Sequence, residues 1–198
     1  MERRATSRTR TIHRPALVMT PDHLQYVVMR DISDQGARFE RGRPLEPGQK
    51  ICVMYGNSPP IAAQVIWSEG GTFGIAFEAG EGSWEDENYN PYRTVRIPIR
   101  PEAEIFWRGQ RYNVRLKNIS QAGACVQSPP LFDPGSLVTV RTLGREFALT
   151  NVRWNAEESF GLRWEQRLSY DDMADLLRRY QQAPAQNIGA TTKQVAAA

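Results

Sequence analysis

Apolar residues recur at every second position along much of this chain, in short runs. In "TFGIAFE" (72–78), Phe73, Ile75 and Phe77 alternate with Gly74, Ala76 and Glu78. "IAAQVIW" (61–67) puts Ile61, Ala63, Val65 and Trp67 on one face. "YNVRLKN" (112–118) sets Tyr112, Val114 and Leu116 against Asn113, Arg115 and Lys117. Period two is the signature of half-buried strands, and Pro-Gly, Gly-Asn and Gly-Gly pairs punctuate the runs. Each half of the chain has room for about six short strands and no helix between them. Small all-β units of this kind hide their edges by closing into barrels. On the same parity Trp67, Phe73, Phe77, Trp154, Phe160 and Trp164 are expected in the cores. One segment breaks the pattern. In "SYDDMADLLRRY" (169–180), Met173, Leu176, Leu177 and Tyr180 form a single helical stripe. Ser169 is placed to cap that helix, with Asp172 three residues on. The helix is expected over 169–181, packed on the second barrel.

The strand pattern is written twice. "DISDQGA" (31–37) returns as "NISQAGA" (118–124), 87 positions later (118 − 31). At that fixed offset Pro47-Gly48 falls on Pro134-Gly135, Val65 on Val152, Trp67 on Trp154, and "TFGIAFE" on "SFGLRWE". A repeat of this length fixes the architecture as two copies of one domain. The copies are expected at 1–80 and 91–182. An acidic, Gly-containing linker spans 81–90, and an unstructured tail 183–198.

Composition then narrows the chemistry. Forty per cent apolar and 24% charged residues are ordinary globular values, and the net charge is only +3. The charge is unevenly placed: Arg3, Arg4, Arg8, Arg10 and Arg14 crowd the first fourteen residues against a single Glu2. Such an arm suits an anionic partner. No run of 18 apolar residues suggests a membrane span, and the Arg-rich start lacks the apolar stretch of a secretory signal, so a cytoplasmic location is expected. The two cysteines, Cys52 and Cys125, lie in different copies and are expected as reduced thiols. Neither a metal-ligand cluster nor a nucleophile–base arrangement is written in the sequence, and the protein is expected to be neither an enzyme nor a metalloprotein.

What remains is a binding pattern. Asp31 and Asn118 continue the inward parity of their strands yet are polar. Ser33 and Ser120 add hydroxyls, and Gly36 and Gly123 free the backbone to turn. A D-x-S-x-x-G stretch alone is an ordinary hairpin turn. Ahead of it, however, "RATSR" sets Arg4 and Arg8 four apart, just before a first strand expected near Ala16. Two guanidiniums so spaced fork onto phosphates or stack on a base.

The combination of R-x-x-x-R, [D/N]-x-S-x-x-G and a closing G-[IVL]-x-F strand resembles the PilZ domain, in both copies. The resemblance implies two six-stranded β-barrels and a receptor for the bacterial second messenger cyclic di-GMP, with no other cofactor. It carries Arg4, Arg8, Asp31, Ser33 and Gly36 over as the site of the first copy, with Arg3 as a neighbour. The second copy departs from the pattern. Tyr92 stands four residues before Arg96, and Arg93 only three. Arg93, Arg96, Asn118, Ser120 and Gly123 therefore make a secondary, weaker site. Two other readings stand beside the receptor: an adaptor that binds protein partners without nucleotide, and a basic barrel that binds single-stranded nucleic acid. The last needs exposed aromatics among Lys and Arg, whereas the aromatics here follow inward parity.

Overall fold

The computed structural model describes residues 10–56, 58–78 and 94–183. The chain divides into two compact units, Met1–Val95 and Arg96–Ala198. Each contains a closed six-stranded antiparallel barrel. The first is built from β1 (Arg10–Met19), β2 (Leu24–Ser33), β3 (Gly36–Glu40), β4 (Lys50–Tyr55), β5 (Ile61–Glu69) and β6 (Thr72–Phe77). The second uses β7 (Glu102–Trp107), β8 (Gln110–Ser120), β9 (Gly123–Gln127), β10 (Leu137–Thr142), β11 (Arg145–Ala156) and β12 (Ser159–Arg163). Around the first barrel the order is β1-β2-β3-β6-β5-β4, and the second repeats it strand for strand. The fold is thus all-β, with a single helix, α1 (Tyr170–Gln182), among the described residues. The linker 81–90 and the tail from 184 onward lie outside the described residues.

The 87-residue offset extends further toward the N-terminus than the motif itself. Arg10 pairs with Ile32 in the first copy, and Ile97 bridges to Ile119 in the second. β1 begins at Arg10, six residues earlier than the expected start near Ala16. Proline explains why the second copy differs here: Pro98 and Pro101 supply no N–H, and among the described residues a single bridge precedes β7.

Period-two parity holds until a bulge interrupts it. The β2–β3 register slips between Met29 and Asp31, and the β8–β9 register between Leu116 and Asn118. Each bulge adds one residue and turns the following side chains over. Ile32 and Ile119 therefore take the inward positions, 5% and 0% exposed, and Asp31 and Asn118 point outward, contrary to strict alternation. A second pair of bulges, between Val65 and Trp67 and between Val152 and Trp154, does the same on β5 and β11. Trp67 and Trp154 are consequently not core residues; they stand 41% and 40% exposed on the outer faces. Each indole lies across a glycine of the next strand. A Cβ on Gly74 would meet Trp67 Nε1 at 2.2 Å, and one on Gly161 would meet Trp154 Nε1 at 2.0 Å.

The cores are filled by the remaining aromatics. Phe39 and Phe73 stack at 5.2 Å in the first barrel, and Trp164 stacks on Phe147 at 4.1 Å in the second. The helix caps as its sequence predicts. Asp172 N–H donates to Ser169 Oγ at 3.1 Å, and Ser169 N–H donates to the Asp172 carboxylate at 3.0 Å. All four stripe residues are buried, and Arg145 of β11 pairs with Asp172 at 2.6 Å.

Candidate functional site

In the first copy, four residues line up across the outer face. Asp31 of β2 sits opposite Arg38 of β3, Arg38 opposite Gly74 of β6, and Gly74 opposite Trp67 of β5. Three strand spacings make this row about 14 Å long. A carboxylate, a guanidinium and an indole face thus share one surface. Asp31 accepts from Arg38 Nη2 at 2.6 Å, and the two side chains are 21% and 48% exposed. Beside them Arg30, the bulged residue, donates to Glu40 at 2.7 Å and meets His13 Nδ1 at 2.7 Å.

The turn at the head of this row is held by Ser33. Its Oγ donates to Gly36 O and accepts from Gln35 N–H, both at 3.3 Å. Gly36 has no unusual φ, so backbone freedom is not its reason. A Cβ there would lie 2.0 Å from Ile75 O, which leaves room for no other residue. Asp31, Ser33, Gly36, Arg38, Ile75 and Ala76 line an open cavity of about 340 Å³. Because Thr11 pairs with Asp31 and Arg10 with Ile32, β1 enters the barrel at this turn. Arg4 and Arg8, with Arg3, belong to the segment just ahead of that entry and lie outside the described residues, as does Arg93.

The second copy repeats the backbone and changes the side chains. The equivalent row is Asn118, Cys125, Gly161 and Trp154. An amide replaces the carboxylate and a thiol replaces Arg38. Burial pushes the Cys125 thiol up, against the nearby charge of Lys117, a hydrogen bond with Ser159 and the charge of Arg96. Ser120 makes the same turn, donating to Gly123 O at 3.2 Å and accepting from Ala122 N–H at 3.3 Å. Here, though, the chain after β12 folds over it. Trp164 Nε1–H donates to Ser120 O at 3.2 Å, and Gln121 and Leu168 exchange hydrogen bonds at 2.9 and 3.0 Å. Ser120 is 7% exposed as a result. At the 87-residue offset, Arg4 and Arg8 fall on Pro91 and Val95, and Val95 is fully buried. Arg96 is exposed, directly before the Ile97 bridge.

The protein-family model of the PilZ domain matches residues 2–83 and again 92–182. The chain belongs to the PilZ domain family. No curated protein matches it significantly. Similar solved structures include Borreliella burgdorferi PlzA in complex with c-di-GMP, at 12% identity over 85% of this chain and 87% of that one, TM-score 0.36. Another is the Bacillus subtilis inhibitor of motility MotI/DgrA, at 13% identity over 87% and 97%, TM-score 0.34. A third is Escherichia coli YcgR in complex with c-di-GMP, at 11% over 83% and 80%, TM-score 0.32. What these proteins bind is a property of theirs.

Two residues of the first PilZ copy's outer face escaped the sequence reading. Arg38 was findable, since strand pairing puts a residue two beyond Gly36 opposite Asp31. Trp67 was not, because its outward position depends on a bulge that leaves no mark in the alternation. Among the described residues no helix is long and apolar enough to cross a membrane, and no group of three His, Cys, Asp or Glu is placed to hold a metal ion.

Proposed function

We propose that the chain is a cyclic di-GMP receptor whose ligand is taken by the first PilZ copy, and that binding is converted into a change in interdomain geometry or in partner binding. The observation that supports this most is the open row of Asp31, Arg38 and Trp67 at the point where β1 enters behind Arg4 and Arg8. The family is one of cyclic di-GMP receptors. A guanine presents two adjacent N–H donors, and the outward Asp31 carboxylate is an acceptor for both. Ser33 and Gly36 shape the turn that holds Asp31 outward. Arg4 and Arg8 supply forked donors for the phosphates. Arg38 already neutralises Asp31, so ligand binding exchanges an internal ion pair for contacts with the base and phosphate. The secondary site, with Arg93, Arg96, Asn118, Ser120 and Gly123, lacks a carboxylate and has its turn covered by Trp164 and Leu168, which favours the first copy. Isothermal calorimetry on the full chain tests the reading. Wild type is expected to release heat with cyclic di-GMP, and Asp31→Ala to lose at least tenfold in affinity. A wild type that gives no heat at high protein concentration sinks it.

A further inference from the structure

The outer face of the second copy differs from the first in charge, and the difference is systematic. In the first copy each cation on this face has an acid. Arg38 pairs with Asp31, and the bulged Arg30 pairs with Glu40. At the same offset both acids become amides, Asn118 and Gln127, while the bulged cation persists as Lys117. The second bulge then adds a cation where the first copy has Ile66, namely Arg153, and Ala76 gives way to Arg163. Arg96 lies close enough to act on Cys125 together with Lys117. β8, β9 and β12 contain no acidic residue; the carboxylates nearest in sequence are Glu165, two residues beyond Arg163, and Glu157 and Glu158 in the turn closing β11 to β12. Lys117, Arg153, Arg163 and Arg96 are all exposed and make no ion pair among the described residues. At the β11 end of the row, next to Arg153, Trp154 lies against Gly161 of β12, 40% exposed.

Unpaired cations on the same barrel face as a seated, exposed indole are what a single-stranded nucleic acid requires. Cations track the phosphates, and the indole takes an unstacked base without regard to its identity. The inward parity that argued against this partner does not hold at Trp154. We propose that this face of the second copy binds single-stranded nucleic acid, with Arg153, Arg163, Lys117 and Arg96 on phosphates and a base stacked on Trp154. The proposal is independent of cyclic di-GMP binding by the first copy. An acidic protein segment is the competing occupant. It would satisfy the cations but has no need of a flat ring face.

Fluorescence anisotropy of labelled dT15 with the full chain tests it. With three or four phosphates neutralised, log affinity should fall against log salt with a slope of about −2 to −3, roughly 20- to 50-fold between 50 and 200 mM. Arg153→Glu/Arg163→Glu should abolish binding. Trp154→Ala should weaken it about tenfold, and Trp154→Phe, which keeps a ring, should restore most of the loss. Circular dichroism should show each variant folded, since these side chains are exposed. The proposal is overturned if dT15 does not bind at low salt, or if the charge reversals leave binding unchanged. It is equally overturned if Trp154→Ala has no effect and polyglutamate displaces dT15 charge for charge, the result expected of an acidic protein partner.

Discussion

The two barrels share a backbone and differ in what they put on it. Both use the same bulges to turn a polar residue and a tryptophan outward, the same serine to close the turn, and the same glycine to let β3 or β9 approach its neighbour. In the first copy that frame holds Asp31 and Arg38 in an open cavity. In the second it holds Asn118 and Cys125, with Trp164 and Leu168 folded over the turn. The D-x-S-x-x-G motif therefore carries two separable jobs. Ser and Gly build the turn in either copy, and the identity of the first residue and of its cross-strand neighbour decides the chemistry.

The largest effects should be equal in the two copies. Gly36→Ala and Gly123→Ala each force a Cβ to within about 2 Å of a carbonyl oxygen, at 2.0 and 1.9 Å. Each should lower unfolding free energy by about 1–3 kcal/mol in urea titrations. A loss confined to one copy would break the structural equivalence. Arg38→Ala is the next test. Its ion pair with Asp31 is partly exposed, so stability should change by less than about 1 kcal/mol. Cyclic di-GMP affinity should nonetheless fall about tenfold, as for one charge-assisted contact.

How much of this was legible beforehand depended on whether a feature is local. Strand alternation, the offset of 87 and the capping box around Ser169 are written in neighbouring residues and were readable. The bulges were not. Their extra residue shows only in the pairing, and each one reversed an inward assignment, at Asp31, Asn118, Trp67 and Trp154. At Gly36 the expected reason, a freed backbone, is not the one at work, because close approach to Ile75 is a tertiary fact. The cover over Ser120 comes from residues more than forty positions away, Trp164 and Leu168, and no local pattern announces it.

Smaller effects sharpen the comparison where the copies diverge. Ser169→Ala removes the cap of the one helix among the described residues, which belongs to the second copy, and should cost about 1 kcal/mol. Hydrogen bonds from Ser169, with the help of Arg145, hold the Asp172 carboxyl below its usual pKa. That contribution is present above the ordinary carboxylate pKa and is lost as pH falls through the lowered folded value. Acid titrations should show a shallower loss of stability in Ser169→Ala than in wild type. Trp164→Phe should cost about 1 kcal/mol through the hydrogen bond to Ser120 O.

The smallest effect belongs to the first copy. His23 meets Thr20 Oγ1 at 3.1 Å and Gln25 Nε2 at 2.9 Å, and burial, with the charge of Arg43, lowers its pKa despite Asp22. A lowered folded pKa favours the neutral form, so stability should rise with pH from the lowered value up to 6.5 and level off above it. His23→Gln, which copies Gln110 at the equivalent position, should flatten that rise in thermal unfolding measured between acid and neutral pH.

The most direct test of the division of labour compares two double variants by calorimetry with cyclic di-GMP. Arg4→Ala/Arg8→Ala removes the arginine pair ahead of the open turn, and Arg93→Ala/Arg96→Ala removes the nearest counterpart ahead of the covered one. The account predicts that the first variant loses roughly 100-fold or more, at tenfold or more per charged contact, and that the second binds like wild type. Loss in the second variant with the first unaffected would contradict it and assign the ligand to the other barrel.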